Sequence, residues 1–282
     1  MPISFVASAE NSATNGGDVT LTLPAMNEND LVIVAYAIGD NDGVDFNMAM
    51  VTTGYTEVAD LFANDTQDCS LGVYWKKMGA TPDTTAVVDG LGGADASVAA
   101  VCMVFRGVDT TTPMDVTPTT ATAINTMHPD PPSVDFVDTN AWTVIVGASG
   151  HTLAGAGTYT FPTGYVTNAI DRGADDTGGD ITVGMGYRTT PADPENPAVM
   201  THSGTDNTSF AWCAVSIALR AALNVVSADG SSSGVGASSV ISAALWAVAT
   251  SGVGLGASSG IGAAFALGDG AASGLGSSSI AA

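Results

Sequence analysis

The sequence predicts an all-β chain. A duplicated β-sandwich or jelly-roll-like region spans 1–222, and a repetitive, fibre-like tail spans 223–282. Three observations carry this reading. Short apolar or alternating runs fill the first 222 residues, separated by Gly, Asp, Asn, Thr and Pro turns, with no sustained 3.6-residue stripe. One succession of motifs occurs twice, at an offset of 110 to 114 residues. From Leu223 onward Gly, Ala and Ser dominate, and one large apolar residue returns every ten positions.

Taken in order, the runs that predict strands are Ile3–Ala7, Asp18–Leu23, Leu31–Ala37, Ser70–Lys76, Thr85–Val88 and Ser97–Phe105. They continue with Ser133–Val137, Trp142–Ala148, Ile181–Tyr187 and Phe210–Leu219. Each is rich in β-branched or aromatic residues and bounded by turn formers. Alternation predicts one buried face per strand, with Val, Ile, Phe and Trp building the core at roughly 25 cal/mol per Å² of apolar surface.

The internal match sets the domain boundaries. Asn29–Val34 resembles Ala141–Val146, and Thr53–Gly54–Tyr55 resembles Thr163–Gly164–Tyr165. Gly72–Lys76 resembles Gly184–Arg188, and Val101–Arg106 resembles Val215–Arg220. The order is the same in both copies, which gives one β-unit over 1–112 and its duplicate over 113–222. The two units are either the two sheets of one sandwich or two small sandwiches side by side.

In the tail, Val235, Leu255 and Leu275 share one column of a 20-residue period, and Leu245 and Phe265 share the half-period column. In an extended strand these positions lie on one face. A lone Gly/Ala strand does not offset an ordering entropy of about 1–2 kcal/mol per residue. The repeat therefore predicts association between identical chains, most simply three, with Val235, Leu245, Leu255, Phe265 and Leu275 toward the fibre axis. A flexible Gly/Ser linker is the alternative, but a linker has no reason to keep register.

Composition excludes several functions. The chain carries 28 acidic and 6 basic residues, a net charge of −22. Nucleic acid is excluded as a partner because phosphate binding needs Lys/Arg clusters, and an anionic membrane surface is disfavoured for the same reason. The uncharged stretch 241–268 is rich in Gly and Ser, has no flanking Lys or Arg, and reads as repeat rather than as a membrane span. Cys69, Cys102 and Cys213 form no CxxC and predict no disulfide framework or zinc site. The start, Met1–Phe5, lacks the basic and apolar regions of a signal peptide, so synthesis in a cytoplasm is expected.

The motifs that carry chemistry are weak. Gly256–Gly262 looks like a dinucleotide-binding turn but sits inside the repeat, with no βαβ continuation. Asp40–Asn41–Asp42–Gly43–Val44–Asp45 offers hard oxygen ligands, which makes Asp40, Asp42 and Asp45 a candidate Ca²⁺ set. It lacks the later Glu of an EF-hand and follows a strand rather than a helix, and an Asp/Asn/Gly turn is the reading that its chemistry favours. The Asp175–Asp180 stretch carries the same two readings. His128, His151 and His202 have no metal spacing and read as loop or surface histidines. Tyr55 and Tyr165 follow Gly in matched loops, either as structural turns or as stacking groups for a glycan. Ser and Asp are too abundant to single out a catalytic set, and no cofactor is expected.

Several of these motifs together resemble a group of tailed-bacteriophage virion proteins. The resemblance rests on the strand Asp30–Val34, the turn Gly54–Tyr55–Thr56 and the strand Val73–Tyr74–Trp75–Lys76. It extends through Phe105–Arg106–Gly107–Val108–Asp109, Thr112–Pro113–Met114–Asp115 and the Gly/Ala/Ser repeat tail. It implies a non-enzymatic virion surface component, of head-decoration, head-fibre or tail-fibre type, with other virion proteins as partners. Two alternatives stand beside it: a carbohydrate-binding adhesive module that contacts host surface glycan, and a polysaccharide depolymerase.

Overall fold

The structure is a computed structural model and describes residues 2–91, 96–152, 157–166, 170–174, 179–205 and 209–222. Fourteen strands and no helix occur among them. The first sheet takes β1 (Ser4–Ala13), β3 (Leu31–Gly39), β4 (Thr56–Ala63), β5 (Cys69–Lys77) and β7 (Ser97–Arg106) in the order β1-β7-β3-β5-β4. The second takes β8 (Thr119–Ile124), β9 (Trp142–His151), β11 (Ile170–Ala174), β12 (Asp180–Arg188) and β14 (Ala211–Leu219) in the order β8-β14-β9-β12-β11. All the pairings are antiparallel. Replacing β1, β7, β3, β5 and β4 by β8, β14, β9, β12 and β11 converts the first order into the second. Strands between Ser4 and Arg106 thus supply one sheet and strands between Thr119 and Leu219 the other, and the two face each other across one core.

That core alternates along every central strand, as the pleat requires. Leu31, Ile33, Ala35 and Ala37 of β3 point inward, with Val101, Met103 and Phe105 of β7. From the other sheet, Val144 and Val146 of β9, Ile181, Val183 and Met185 of β12, and Val215, Ile217 and Leu219 of β14 meet them. Aromatic rings close one end: Trp142 stacks on Tyr187 at 5.5 Å and 1°, and Phe105 stands edge-on to both.

The expectation of one buried face per strand is overturned. β3, β7 and β14 are buried on both faces, because a second layer covers the outside of each sheet. A short ribbon of β2 (Val19–Thr22) and β6 (Thr85–Val88), with Met48, packs on Val32, Val34, Tyr36, Cys102 and Val104. The second sheet has a smaller cover, β10 (Tyr159–Thr160) paired with β13 (Thr201–His202), with Tyr165 and Met200 against Ile145. Glycine makes this close approach feasible: a Cβ on Gly147 would meet Met200 Sδ at 2.7 Å, and one on Gly184 would meet Tyr159 Cδ2 at 2.7 Å.

The predicted strand Ser133–Val137 is not a strand. Val134 makes a single antiparallel bridge to Glu195, and Val137 is 75% exposed. The preceding Pro131 and Pro132 lack the N–H groups a ladder needs. The predicted tail contacts Val235, Leu245, Leu255, Phe265 and Leu275 lie outside the described residues.

Candidate functional site

The repeated motifs build matched ionic clasps, one set on each sheet. At the end of β5, Lys76 lies over the Gly54–Tyr55 turn and pairs with Asp83 at 2.6 Å. At the end of β12, Arg188 lies over the Gly164–Tyr165 turn and pairs with Glu195 at 3.0 Å. Gly54 (φ +85°) and Gly164 (φ +94°) hold a left-handed conformation that a side chain disfavours. At the closing arginines, Arg106 grips Asp30 through two bonds of 2.7 and 2.8 Å, and Arg220 holds Asp115 at 3.0 Å. Asp30 also accepts the Asn27 N–H, and Asp115 accepts those of Val137 and Asp138. Each carboxylate therefore ties the loop before a central strand to the last strand of the same sheet. The Val137 and Asp138 N–H groups, with the Arg220 guanidinium, hold the Asp115 carboxyl below its ordinary value despite burial.

A second constellation lies at the opposite end of β3. Asp40, Asp42 and Asp68 bring one carboxylate oxygen each within 4.8 Å of one another. The β3–β5 register places Ile38 opposite Ser70, so two steps further along Asp40 falls opposite Asp68, joined by the bond from Asp68 N to Asp40 O at 2.9 Å. Gly43 turns the chain, and its N–H donates to Asp68 Oδ2 at 2.7 Å. Asp40 and Asp68 are buried, while Asp42 faces solvent. Burial, reinforced by Asp42 and Asp68, pushes the Asp40 carboxyl up to about 7, and burial raises Asp68 too. The cluster keeps Asp40 and Asp42 of the candidate Ca²⁺ set and brings in Asp68. Asp45, past the Gly43 turn, is exposed and is not one of the three.

The expectation of loop or surface histidines is overturned for His151 and His202, which are buried in strands, while His128 is a half-buried loop residue that meets His202. The Gly204 N–H donates to His202 Nδ1 at 3.0 Å, so the His202 proton sits on Nε2 and is donated to Thr182 Oγ1 at 3.0 Å. The Thr182 hydroxyl then donates to His151 Nε2 at 2.9 Å, which leaves the His151 proton on Nδ1, 3.8 Å from Asp180 Oδ2. His128 Nδ1 accepts the His202 backbone N–H at 3.0 Å. Burial, with His128 nearby, lowers the His202 pKa to about 4. The order Thr182, His151, Asp180 mimics a hydrolytic triad, but Thr182 and His151 are both 0% exposed. As it stands, the network fixes the β10–β13 cover to the second sheet.

The tyrosines are also held by the fold. The Tyr165 hydroxyl reaches Glu195 Oε1 at 3.4 Å, and the ring is 9% exposed, leaving little surface for a glycan. Tyr55 is half-buried on the outer core of the first sheet, with Lys76 Nζ 5.3 Å from its ring. Cys69, Cys102 and Cys213 are free and buried, and the Cys213 thiol donates to the Cys69 carbonyl at 3.2 Å. Of the Asp175–Asp180 stretch, 175–178 lie outside the described residues. No helix among the described residues is long and apolar enough to cross a membrane. No protein-family model, curated protein or solved structure matches the chain.

Proposed function

We propose that the chain is a non-enzymatic structural protein of a tailed-phage particle. It stands on the virion surface as head decoration, head fibre or tail fibre, and its C-terminal repeat joins identical chains. The observation that carries this reading is how the scarce cations are used. Five of the six basic residues, Lys76, Arg106, Arg172, Arg188 and Arg220, form ion pairs inside the sandwich region. Four of those five sit on motifs that recur in both halves, and two of them, Lys76 and Arg106, sit on the copies that carry the phage resemblance. The recurring chemistry is devoted to a rigid scaffold with an acidic exterior, which suits a solvated particle surface.

The identical strand orders support reading the two sheets as copies of one ancestral unit. The ten-residue apolar recurrence supports a trimeric, fibre-like tail. Antibody labelling of purified particles, viewed by electron microscopy, tests the location: label is expected at the particle surface, and particles free of the protein refute the reading. Sedimentation of the full chain tests the assembly. Leu245→Asp or Phe265→Asp should convert the oligomer to monomer, and unchanged oligomers would remove the axial role of these side chains.

A further inference from the structure

We propose that Asp40, Asp42 and Asp68 form a binding site for a divalent hard cation, Ca²⁺, at the end of the sandwich where β3 leaves and β5 enters. Three carboxylates within 4.8 Å are the donor type and number from which oxygen-rich Ca²⁺ sites are built, with water and carbonyl oxygens completing the shell. Clustering alone does not make such a site, since acidic groups often crowd on an acidic surface. The second observation is the state of Asp40. Its side chain is 5% exposed, and Oδ1 is sealed from solvent with no hydrogen-bond partner among the described residues. A buried carboxylate oxygen without a donor is costly, and a cation relieves that cost together with the repulsion from Asp42 and Asp68.

The backbone fixes the cluster independently of its charge. The β3–β5 register sets Asp40 against Asp68, and the Asp65 and Gly43 N–H groups hold the two Asp68 oxygens at 2.8 and 2.7 Å. Exposed Asp42 gives the ion its route in from solvent. The chain around the site is tightly placed: a Cβ on Gly39 would lie 2.5 Å from the Asp180 carbonyl oxygen, and one on Gly179 would lie 2.6 Å from Asp40 Cα. A cation here stiffens the 40–46 turn at the point where the first sheet abuts the start of β12.

The competing state of the same geometry is a proton shared by Asp40 and Asp68, and the two are separated by titration with the metal alone. Full-length protein stripped with a chelator is titrated with CaCl₂ by calorimetry and by thermal denaturation. Saturable binding at or below about 1 mM, the weak end of protein Ca²⁺ sites, is expected, with a rise in the melting midpoint. Asp42→Asn, at an exposed position where the Asn side-chain oxygen can still accept the Val44 N–H, should weaken binding at least about tenfold, and Asp68→Asn should weaken it further. Asp45→Asn is expected to bind like the parent. The proposal is overturned if the parent shows neither heat nor a midpoint shift up to about 10 mM CaCl₂. It is equally overturned if Asp42→Asn binds as the parent does, or if Asp45→Asn loses binding as Asp42→Asn does.

Discussion

His202 illustrates how a single side chain couples the fold to pH. It is 2% exposed, it donates to Thr182, and its pKa is lowered to about 4, first by burial and then by His128. In the unfolded chain a histidine titrates near 6.5. Between these values the unfolded state holds the extra proton, so stability is complete above about pH 6.5 and is lost as pH falls toward 4. The gap corresponds to about 3 kcal/mol, at 1.36 kcal/mol per unit. Asp40, Asp68 and Asp171 act in the opposite sense, because burial raises each of them and acid favours their folded form. The contribution of His202 must therefore be isolated by difference. Urea denaturation at pH 7 and pH 4.5 is expected to show a smaller acid-induced loss for His202→Gln than for the parent, since Gln donates to Thr182 without titrating. Equal losses would assign the acid sensitivity to other groups.

At the scale of elements, the covering ribbons turn two sheets into a layered solid. Leu21 lies on a strand of only four residues, yet it is 0% exposed and packs on the outer face of the first sheet. Leu21→Ala should cost about 2–5 kcal/mol in urea denaturation, the range for a buried leucine. A cost below about 1 kcal/mol would mean that the ribbon is a loosely held flap. Burial also decides what the sequence reveals. Central strands such as Leu31–Gly39 are apolar on both faces and are plain in the sequence. The strands absent from the sequence reading include β4, β8 and β11, and all three are sheet edges. An edge strand pairs on one side only and tolerates polar residues: β4 carries Glu57 and Asp60 and shifts register between Glu57 and Ala59, and β8 is mostly Thr and Ala. The remaining two, β10 and β13, have two residues each, too short for any period. Asp40 and Asp42 of the acidic cluster were visible as a turn. Asp68 required the β3–β5 register, which a hydrophobic pattern alone does not fix. The histidine network was illegible for the same reason, since its members come from β9, β13 and the segment after β8.

At the scale of the molecule, residues 2–222 behave as a single cooperative body only if neither sheet is stable without the other. The core between the sheets draws its side chains from both halves, and each half contributes to it through its three central strands. Separating the halves would expose Met103 and Phe105 on one side and Val215 and Ile217 on the other, all of them 0% exposed in the sandwich. Apolar surface of this extent drives association, and losing it removes the main favourable term for either sheet. The ionic clasps do not join the halves, because each lies within one of them, Asp30 with Arg106 in the first and Asp115 with Arg220 in the second; between the halves Arg172 lies 3.9 Å from Glu10, an exposed pair that adds little to the shared core. Met103→Ala in the first sheet and Ile217→Ala in the second should therefore each destabilise by about 2–5 kcal/mol. More tellingly, both should shift the same transition. Tryptophan fluorescence and far-ultraviolet circular dichroism are expected to give coincident midpoints in each variant. Two separated transitions, with each substitution moving only one of them, would mean that the halves are independent domains in contact. The matched strand orders would then reflect two complete folds rather than two halves of one.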